Sequence, residues 1–286
     1  MNQAKNKRIL LIVSRTSPVP HSLFPPAGIF YIAAVLEKEG FCVQAVDCNK
    51  ENNFEKKIIS LLPGVSLVGI TANVATMRNA ADISRLVRKH SPEATIVMGG
   101  PHPTNIYDKL IPQFADIVVI GEGEYSMRRI AWGNELAEIE NIAYWDNGLK
   151  VNKRSSFAEN LDEFPFPAWH LIDIKNYALK TIFHRIPKAI MLTSRGCPNN
   201  CAYCTKTVHG YKIRLRSVRN IMEEIRYLTN RFGVRQIEFW DDNFTFYPQR
   251  AKDICSEIIR NGFHKKIKFF CPTVYVPTFM TKKCFP

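Results

Sequence analysis

The first part of the chain alternates between short apolar runs and amphipathic stretches. Apolar residues at helical spacing predict helices over Ile29–Glu39 and Asn79–Lys89, which Gly40 and Pro92 end. Five other runs are rich in β-branched residues and bounded by Gly, Pro or Asp, as is typical of strands buried on both faces of a parallel sheet. Strands joined by helical crossovers predict a doubly wound α/β domain, flavodoxin-like or Rossmann-like, over residues 1–133. The predicted strands are Arg8–Ser14, Cys42–Asp47, Leu67–Ala72, Thr95–Gly99 and Asp116–Ile120.

The alternation breaks over residues 134–187, where we predict a hairpin and a linker. Tyr144–Asn152 is typical of a hairpin around Asn147 and Gly148. Leu161–Leu171 is rich in proline and aromatic residues, which favours an ordered linker. A second alternation of strands and helices follows over residues 188–286. Its predicted elements are strand Ala189–Thr193, helix Val218–Phe232 between Ser217 and Gly233, strand Gln236–Trp240, helix Gln249–Asn261 and strand Lys266–Phe270.

Composition and charge narrow the choice of function only slightly. The formal net charge of +13 would suit an anionic partner, but the Lys and Arg residues are scattered, which favours a solvated surface and disfavours nucleic acid. No apolar run approaches the roughly 18 to 20 residues of a transmembrane helix. The basic N-terminus is followed by Arg15, Pro18 and Pro20, so it predicts a first strand and not a signal peptide. Eight cysteines in a non-secreted chain indicate metal or redox chemistry.

Three cysteines lie within eight residues, directly after a predicted strand. Cys197, Cys201 and Cys204 have the spacing C-x3-C-x2-C, so their thiolates can converge on one face of a cube-shaped cluster. Soft thiolate ligands select iron–sulfur clusters, zinc or cuprous copper. Three ligands without an obvious fourth would leave one iron open to another ligand. The alternative is a zinc site with His209 as the fourth ligand, although structural zinc prefers four protein ligands.

This loop resembles that of the radical S-adenosylmethionine superfamily, because an aromatic residue, Tyr203, precedes the last cysteine. The resemblance implies a [4Fe–4S] cluster whose open iron binds the amino and carboxylate groups of S-adenosylmethionine, and reductive cleavage to a 5′-deoxyadenosyl radical. It also implies that Tyr203 lies against the adenine and that Asp241 or Asp242 meets the methionyl ammonium. Carboxylates at the carboxyl ends of strands also face the site of a βα barrel. Alternatively, the two aspartates are turn and cap residues.

Small and polar loops follow three strands of the first domain, where ligands of doubly wound sheets bind. Together with Phe164–Trp169 and the cysteine loop, these loops resemble the cobalamin-binding radical enzymes, which implies a corrinoid at this edge. The signature D-x-H-x-x-G of many cobalamin proteins is absent at His21, and His102 fits a loop histidine better than a cobalt ligand. The residues implied in cobalamin binding are Thr71, Gly99, Gly100, Gly121, Glu122 and Gly123.

The resemblance extends to about Pro272, and Tyr275 stands near where the family commonly has an arginine. We therefore expect a C-terminally truncated radical barrel. The leading hypothesis is methyl transfer, or related radical chemistry, on a small-molecule, lipid-like or natural-product-like substrate. Flavodoxin or ferredoxin would donate electrons in a reducing cytoplasm. The alternatives are a non-catalytic corrinoid-binding fragment and a radical enzyme that modifies RNA.

Overall fold

The computed structural model describes residues 7–16, 24, 26–154, 157–177 and 187–272. The chain forms two compact units. Unit 1 comprises residues 1–22, 26–157 and 164–172, and unit 2 comprises residues 23–25, 158–163 and 173–286. The predicted boundaries at residues 133 and 187 remain predictions, and Tyr275 lies outside the described residues.

Unit 1 is built on a seven-stranded sheet in the order β2-β1-β3-β4-β5-β6-β7. The first five strands are parallel, which confirms the predicted doubly wound domain, and their order is that of flavodoxin-like folds. The hairpin of β6 and β7 is antiparallel and continues the sheet beyond β5, because Ile117 pairs with Tyr144. The strands are β1 Arg8–Val13, β2 Cys42–Asp47, β3 Val65–Thr71, β4 Thr95–Gly99, β5 Ile117–Val119, β6 Ile142–Trp145 and β7 Leu149–Val151.

Five α-helices connect these strands. Two of them match the predicted helices, whereas three short ones fall where no helix was predicted. Apolar side chains of α2, α3 and α4 pack with one face of the sheet, around Ile58, Ile83 and Leu110. The helices are α1 Ala27–Lys38, α2 Phe54–Leu61, α3 Met77–His90, α4 Pro103–Leu110 and α5 Glu124–Trp132.

The proline-rich segment predicted as a linker belongs in part to unit 1. The backbone N–H of Ala168 donates to the carbonyl of Phe30 in α1, at 3.0 Å. The Trp169 ring is fully buried, 5.5 Å from the ring of Phe30. Residues 164–172 therefore pack against Phe30 of α1.

Unit 2 contains a three-stranded parallel sheet in the order β12-β11-β8, and a short antiparallel pair, β9 and β10. Helices α6 and α7 join the parallel strands, which confirms the predicted βα alternation. Ser217 caps α6 by accepting a hydrogen bond from the N–H of Asn220, and Gly233 ends it in the left-handed conformation. The elements are β8 Lys188–Met191, β9 Ser194–Arg195, β10 Arg214–Leu215, α6 Val218–Phe232, β11 Gln236–Phe239, α7 Pro248–Arg260 and β12 Lys268–Phe270.

Short 3₁₀ turns complete the described backbone. Within the described ranges, no helix combines the length and the apolar character needed to cross a bilayer. The 3₁₀ turns are Leu136–Glu138, Leu161–Glu163, Trp169–Leu171, Ile174–Asn176 and Phe263–Lys265.

Candidate cofactor sites

The three cysteines lie on the loop between β9 and β10. Cys197 is buried, Cys201 is partly buried and Cys204 is exposed, and none of them forms a disulfide. The N–H of Cys204 donates to the carbonyl of Cys201 at 3.0 Å, so a tight turn brings these two residues together. Among residues 187–272 and the other described ranges, no three His, Cys, Asp or Glu side chains are grouped as ligands of a metal ion, either with or without His209. The donor set itself, three reduced thiols on one loop, fits an iron–sulfur cluster.

Gly196 sets the direction in which the chain enters this loop. Its φ of +89° is one that L side chains rarely adopt, and a Cβ there would overlap the carbonyl oxygen of Lys212. Its N–H donates to Oδ2 of Asp242 at 2.9 Å, and the N–H of Cys197 donates to the carbonyl of Gly210 at 3.3 Å. The backbone before the first cysteine therefore lies against the returning arm of its own loop.

The two predicted aspartates occupy different environments. Asp241 is fully buried, and its carboxylate accepts hydrogen bonds from the Thr193 N–H at 2.6 Å and from the hydroxyls of Thr193 and Ser194 at 2.5 Å. Burial raises the pKa of Asp241, although these hydrogen bonds and the charge of Arg250 act in the opposite direction. Asp242 is exposed beside Gly196. Asp241 therefore anchors the start of the cysteine loop, whereas Asp242 is accessible to a ligand.

Two further side chains of the cysteine loop are an exposed tyrosine and a partly buried lysine. Tyr203 is 92% exposed, so its ring is accessible for stacking. Lys206 Nζ lies 2.7 Å from Sγ of Cys204. The residues that the sequence did not single out are Thr193, Ser194 and Arg250, whose backbone and side-chain hydrogen bonds link the ends of this loop to the sheet and to α7.

In unit 1, the predicted ligand residues lie at the carboxyl edge of the parallel strands. Thr71 ends β3, and its carbonyl accepts a hydrogen bond from the hydroxyl of Ser14, which follows β1, at 2.7 Å. The carbonyl of Gly99, at the end of β4, accepts from the N–H of Ala72 at 3.0 Å. Gly100 has a φ of +105°, and a Cβ there would lie 2.6 Å from the Ala72 carbonyl oxygen. The structure therefore brings Thr71, Gly99 and Gly100 together.

The second group of predicted ligand residues follows β5. The N–H of Gly121 donates to Oγ1 of Thr104, a buried residue of α4, at 3.0 Å. Glu122 is partly exposed next to it. Gly123 precedes α5, and a Cβ there would lie 2.7 Å from Cδ1 of Ile32. Packing against the Ala72 backbone thus accounts for the absence of a side chain at Gly100, independently of a ligand, whereas the contact at Gly123 is with the flexible end of Ile32.

His102 and the loop after β3 also belong to this edge. His102 stands at the N-terminus of α4 and makes no side-chain capping hydrogen bond. After β3, Asn73 Oδ1 accepts from the N–H groups of Ala75 and Thr76. This turn holds Val74 with 76% of its surface exposed. Val74 thereby places an apolar surface among polar loops, which fits a large planar ligand with apolar faces.

Comparison with known proteins gives two domain matches. Residues 19–131 match the family model of the B12 binding domain, and residues 191–276 match that of the radical SAM superfamily. An uncharacterised methyltransferase of Pyrococcus horikoshii is 30% identical over 272 residues, which cover 90% of this chain and 58% of that protein. Cytidylyl-2-hydroxyethylphosphonate methyltransferase of Streptomyces wedmorensis is 28% identical, over 80% of this chain and 53% of that protein. The chain thus spans little more than half the length of these relatives.

Solved structures share the fold. The cobalamin-dependent S-adenosylmethionine radical enzyme OxsB, in a structure with aqua-cobalamin, has a TM-score of 0.77 at 20% identity, over 93% of this chain and 38% of that one. The radical S-adenosylmethionine methyltransferase TsrM of Kitasatospora setae, with cobalamin and a [4Fe–4S] cluster, has a TM-score of 0.72 at 17% identity, over 92% of this chain and 54% of that one. This chain therefore carries a B12-binding domain over residues 19–131, followed by a radical S-adenosylmethionine domain over residues 191–276.

Proposed function

We propose that this chain carries the cofactor-binding machinery of a cobalamin-dependent radical S-adenosylmethionine methyltransferase that acts on a small molecule. The observation that carries the proposal is the loop of three reduced thiols, Cys197, Cys201 and Cys204, which follows the first strand of a βα unit in a radical SAM domain. When bound, the cluster would supply an electron to S-adenosylmethionine, and the corrinoid would supply a methyl group.

The residues of unit 2 would bind and orient S-adenosylmethionine. Cys197, Cys201 and Cys204 would hold three irons, which leaves the fourth for the amino and carboxylate groups of the ligand. The exposed carboxylate of Asp242 is the one we assign to the methionyl ammonium, because Asp241 is buried and bonded to Thr193 and Ser194. The exposed ring of Tyr203 would stack on the adenine.

In unit 1, the edge formed by the ends of β3, β4 and β5 would bind cobalamin. The apolar side chain of Val74 is exposed at the same edge, where it would contact an apolar face of the ligand. We further propose that an electron donor such as flavodoxin or ferredoxin reduces the cluster, in a reducing cytoplasm. The residues that we assign to cobalamin are Thr71, Gly99, Gly100, Gly121, Glu122 and Gly123.

The test is anaerobic reconstitution with iron and sulfide, followed by addition of S-adenosylmethionine, dithionite and cobalamin. We expect a brown protein that retains cobalamin through gel filtration and cleaves S-adenosylmethionine. Cys201→Ala should abolish cleavage but leave cobalamin retention unchanged. Cys255→Ala, which removes an exposed cysteine of α7 outside the loop, is the matched control and should behave as the unmodified chain.

The other outcomes separate the alternatives. Cobalamin retention without cleavage, despite an intact cluster, would favour a corrinoid-binding chain without catalysis. A colourless protein that contains zinc after reconstitution would contradict the proposed cluster.

A further inference from the structure

The two ends of the cysteine loop meet at one point in unit 2. The loop begins after Thr193, runs through β9, and returns through β10 to Arg216. The N–H of Arg216 donates to the carbonyl of Thr193 at 3.0 Å, which closes the base of the loop. The separation of Thr193 and Arg216 therefore fixes the span that the loop with its three thiols has to cover.

A single guanidinium group bridges this base from outside the loop. Arg250 lies in the first turn of α7, and its Nη2 donates to the carbonyl of Thr193 at 2.6 Å and to the carbonyl of Arg216 at 3.3 Å. Its Nη1 lies 3.2 Å from Oγ1 of Thr193. A planar fork with several fixed N–H groups can hold two carbonyls at once, which an ammonium group does less well.

Charged groups from three elements surround this base. Asp241, at the end of β11, accepts from the N–H and the hydroxyl of Thr193, so Thr193 lies between the Asp241 carboxylate and the Arg250 guanidinium. Arg216 is buried and pairs with the buried Glu224 of α6, and it donates to the carbonyl of Leu192 at 2.9 Å. Asp162, which accepts from the N–H of Ser217, is a third carboxylate that acts on Arg250.

We propose that Arg250 is a positioning residue for the cluster-binding loop, which it serves by holding the start and the end of the loop at a fixed separation. This inference rests on the proposed function, since it assigns the loop to a cluster. The described contacts of Arg250 are with the base of the loop, so its effect on the thiols passes through Thr193 and Arg216.

The expected magnitude follows from the role of groups that orient metal ligands. Loss of such a group typically weakens metal binding about 10- to 100-fold. Because three thiols on one loop hold the cluster, greater freedom at the loop base should raise the rate at which iron is lost. We therefore expect iron loss from Arg250→Met to be about tenfold faster than from the unmodified chain.

The experiment uses the full chain and compares Arg250→Met with Arg250→Lys. Arg260→Met is the matched control, since Arg260 lies on the same helix, is 76% exposed and pairs with Glu257. Each protein is reconstituted anaerobically, the iron content is measured, and iron loss to excess chelator is followed. The electron paramagnetic resonance spectrum of the reduced cluster and the thermal unfolding of the cluster-free chain are recorded in parallel.

Arg260→Met should match the unmodified chain in every measurement. Arg250→Met should lose iron about tenfold faster and show broadened resonance lines, because the thiols adopt several arrangements. Arg250→Lys keeps the charge and one of the two carbonyl contacts, so its rate should fall between the two. Wild-type iron loss and line shape in a cooperatively folding Arg250→Met would overturn the proposal. Should that variant fail to fold, wild-type behaviour of Arg250→Lys would overturn it equally.

Hydrogen exchange of the cluster-free chain separates this inference from the proposed function. Arg250→Met should speed exchange at the amides of Thr193 and Arg216 whether or not a cluster binds. If the unmodified chain takes up no cluster, the proposed function fails, and faster exchange at these amides would still support the role of Arg250 at the loop base. Unchanged exchange in a folded variant would contradict that role directly.

Discussion

Replacement of Gly196 by alanine should destabilise unit 2 through the backbone of the cysteine loop. The φ of Gly196 is +89°, and adoption of a left-handed conformation by an L residue costs roughly 1–2 kcal/mol. The added Cβ would also overlap the carbonyl oxygen of Lys212 and lie 3.2 Å from that of His209. Because both are backbone atoms, relief requires the loop to shift, at a further cost of about 1–3 kcal/mol.

Comparison with Gly233→Ala separates the steric cost of the added Cβ from the conformational cost of the positive φ. Gly233 has a φ of +63° in the same unit, but nothing lies within 4 Å of a Cβ placed there. The free energy of unfolding of this control should therefore fall only by the conformational cost of about 1–2 kcal/mol. Gly196→Ala should lower the free energy of unfolding by about 1–3 kcal/mol more than Gly233→Ala does.

The assay is urea unfolding of the cluster-free chain. It is monitored by hydrogen exchange in peptides from residues 187–272, which report on unit 2. Gly196→Ala should also bind less iron after reconstitution, because the displaced backbone precedes Cys197. Equal destabilisation by the two substitutions would refute the reasoning, since it would mean that the contact with Lys212 carries no cost.

Three further predictions concern single side chains. Burial raises the pKa of the Cys48 thiol far above its ordinary value, so the folded chain keeps this proton as the pH rises above about 9, where the unfolded chain releases it. Stability should therefore fall with rising pH above about 9, by up to about 1.4 kcal/mol per pH unit, and Cys48→Ala should show a smaller decline in urea titrations. Ser217→Ala removes the cap of α6 and should lower the free energy of unfolding by about 1 kcal/mol in urea melts. Gly123→Ala should cost roughly 0.5–1.5 kcal/mol, because Cδ1 of Ile32 is the end of a flexible side chain that can move off its rotamer, and this cost should be smaller in an Ile32→Val background in the same melts.

Each of these has an outcome that contradicts it. For Cys48, an identical pH profile of the two proteins would show that the thiol ionises equally in both states. For Ser217, the control is Ser60→Ala, whose exposed hydroxyl donates to a carbonyl within α2 and caps nothing; an equal loss would exclude a capping effect. For Gly123, an Ile32→Val background that leaves the cost unchanged would exclude the proposed contact.

The sequence was informative wherever the decisive pattern is local. Buried parallel strands are apolar on both faces, so β4 has the predicted bounds. The edge strand β2, whose Cys42 is exposed, also has its predicted bounds. Helix α6 has both predicted ends, because its cap and its terminal glycine lie next to its apolar stripe. The helices α2, α4 and α5 were not predicted, since eight or nine residues give too little periodicity to recognise.

Pairing between distant segments was not predictable in the same way. The hairpin around Asn147 and Gly148 is confirmed, because its turn residues adopt positive φ. Its attachment to β5 was not foreseen, since the pairing of Ile117 with Tyr144 leaves no local signature. Likewise, the proline-rich segment was interpreted as a linker because only its packing against Phe30 reveals that part of it belongs to unit 1.

The candidate sites show the same contrast between local sequence patterns and the packing of distant segments. The spacing of Cys197, Cys201 and Cys204 is a property of eight consecutive residues, so the sequence alone determined that soft ligands share one loop. Only the tertiary structure separated buried Asp241 from exposed Asp242, since adjacent residues of one sequence meet different surroundings. Only the tertiary structure, too, brought Arg250 to Thr193, 57 positions away. Ligand chemistry is encoded in residue type and local spacing, whereas the groups that hold the ligands in place are chosen by how distant segments pack.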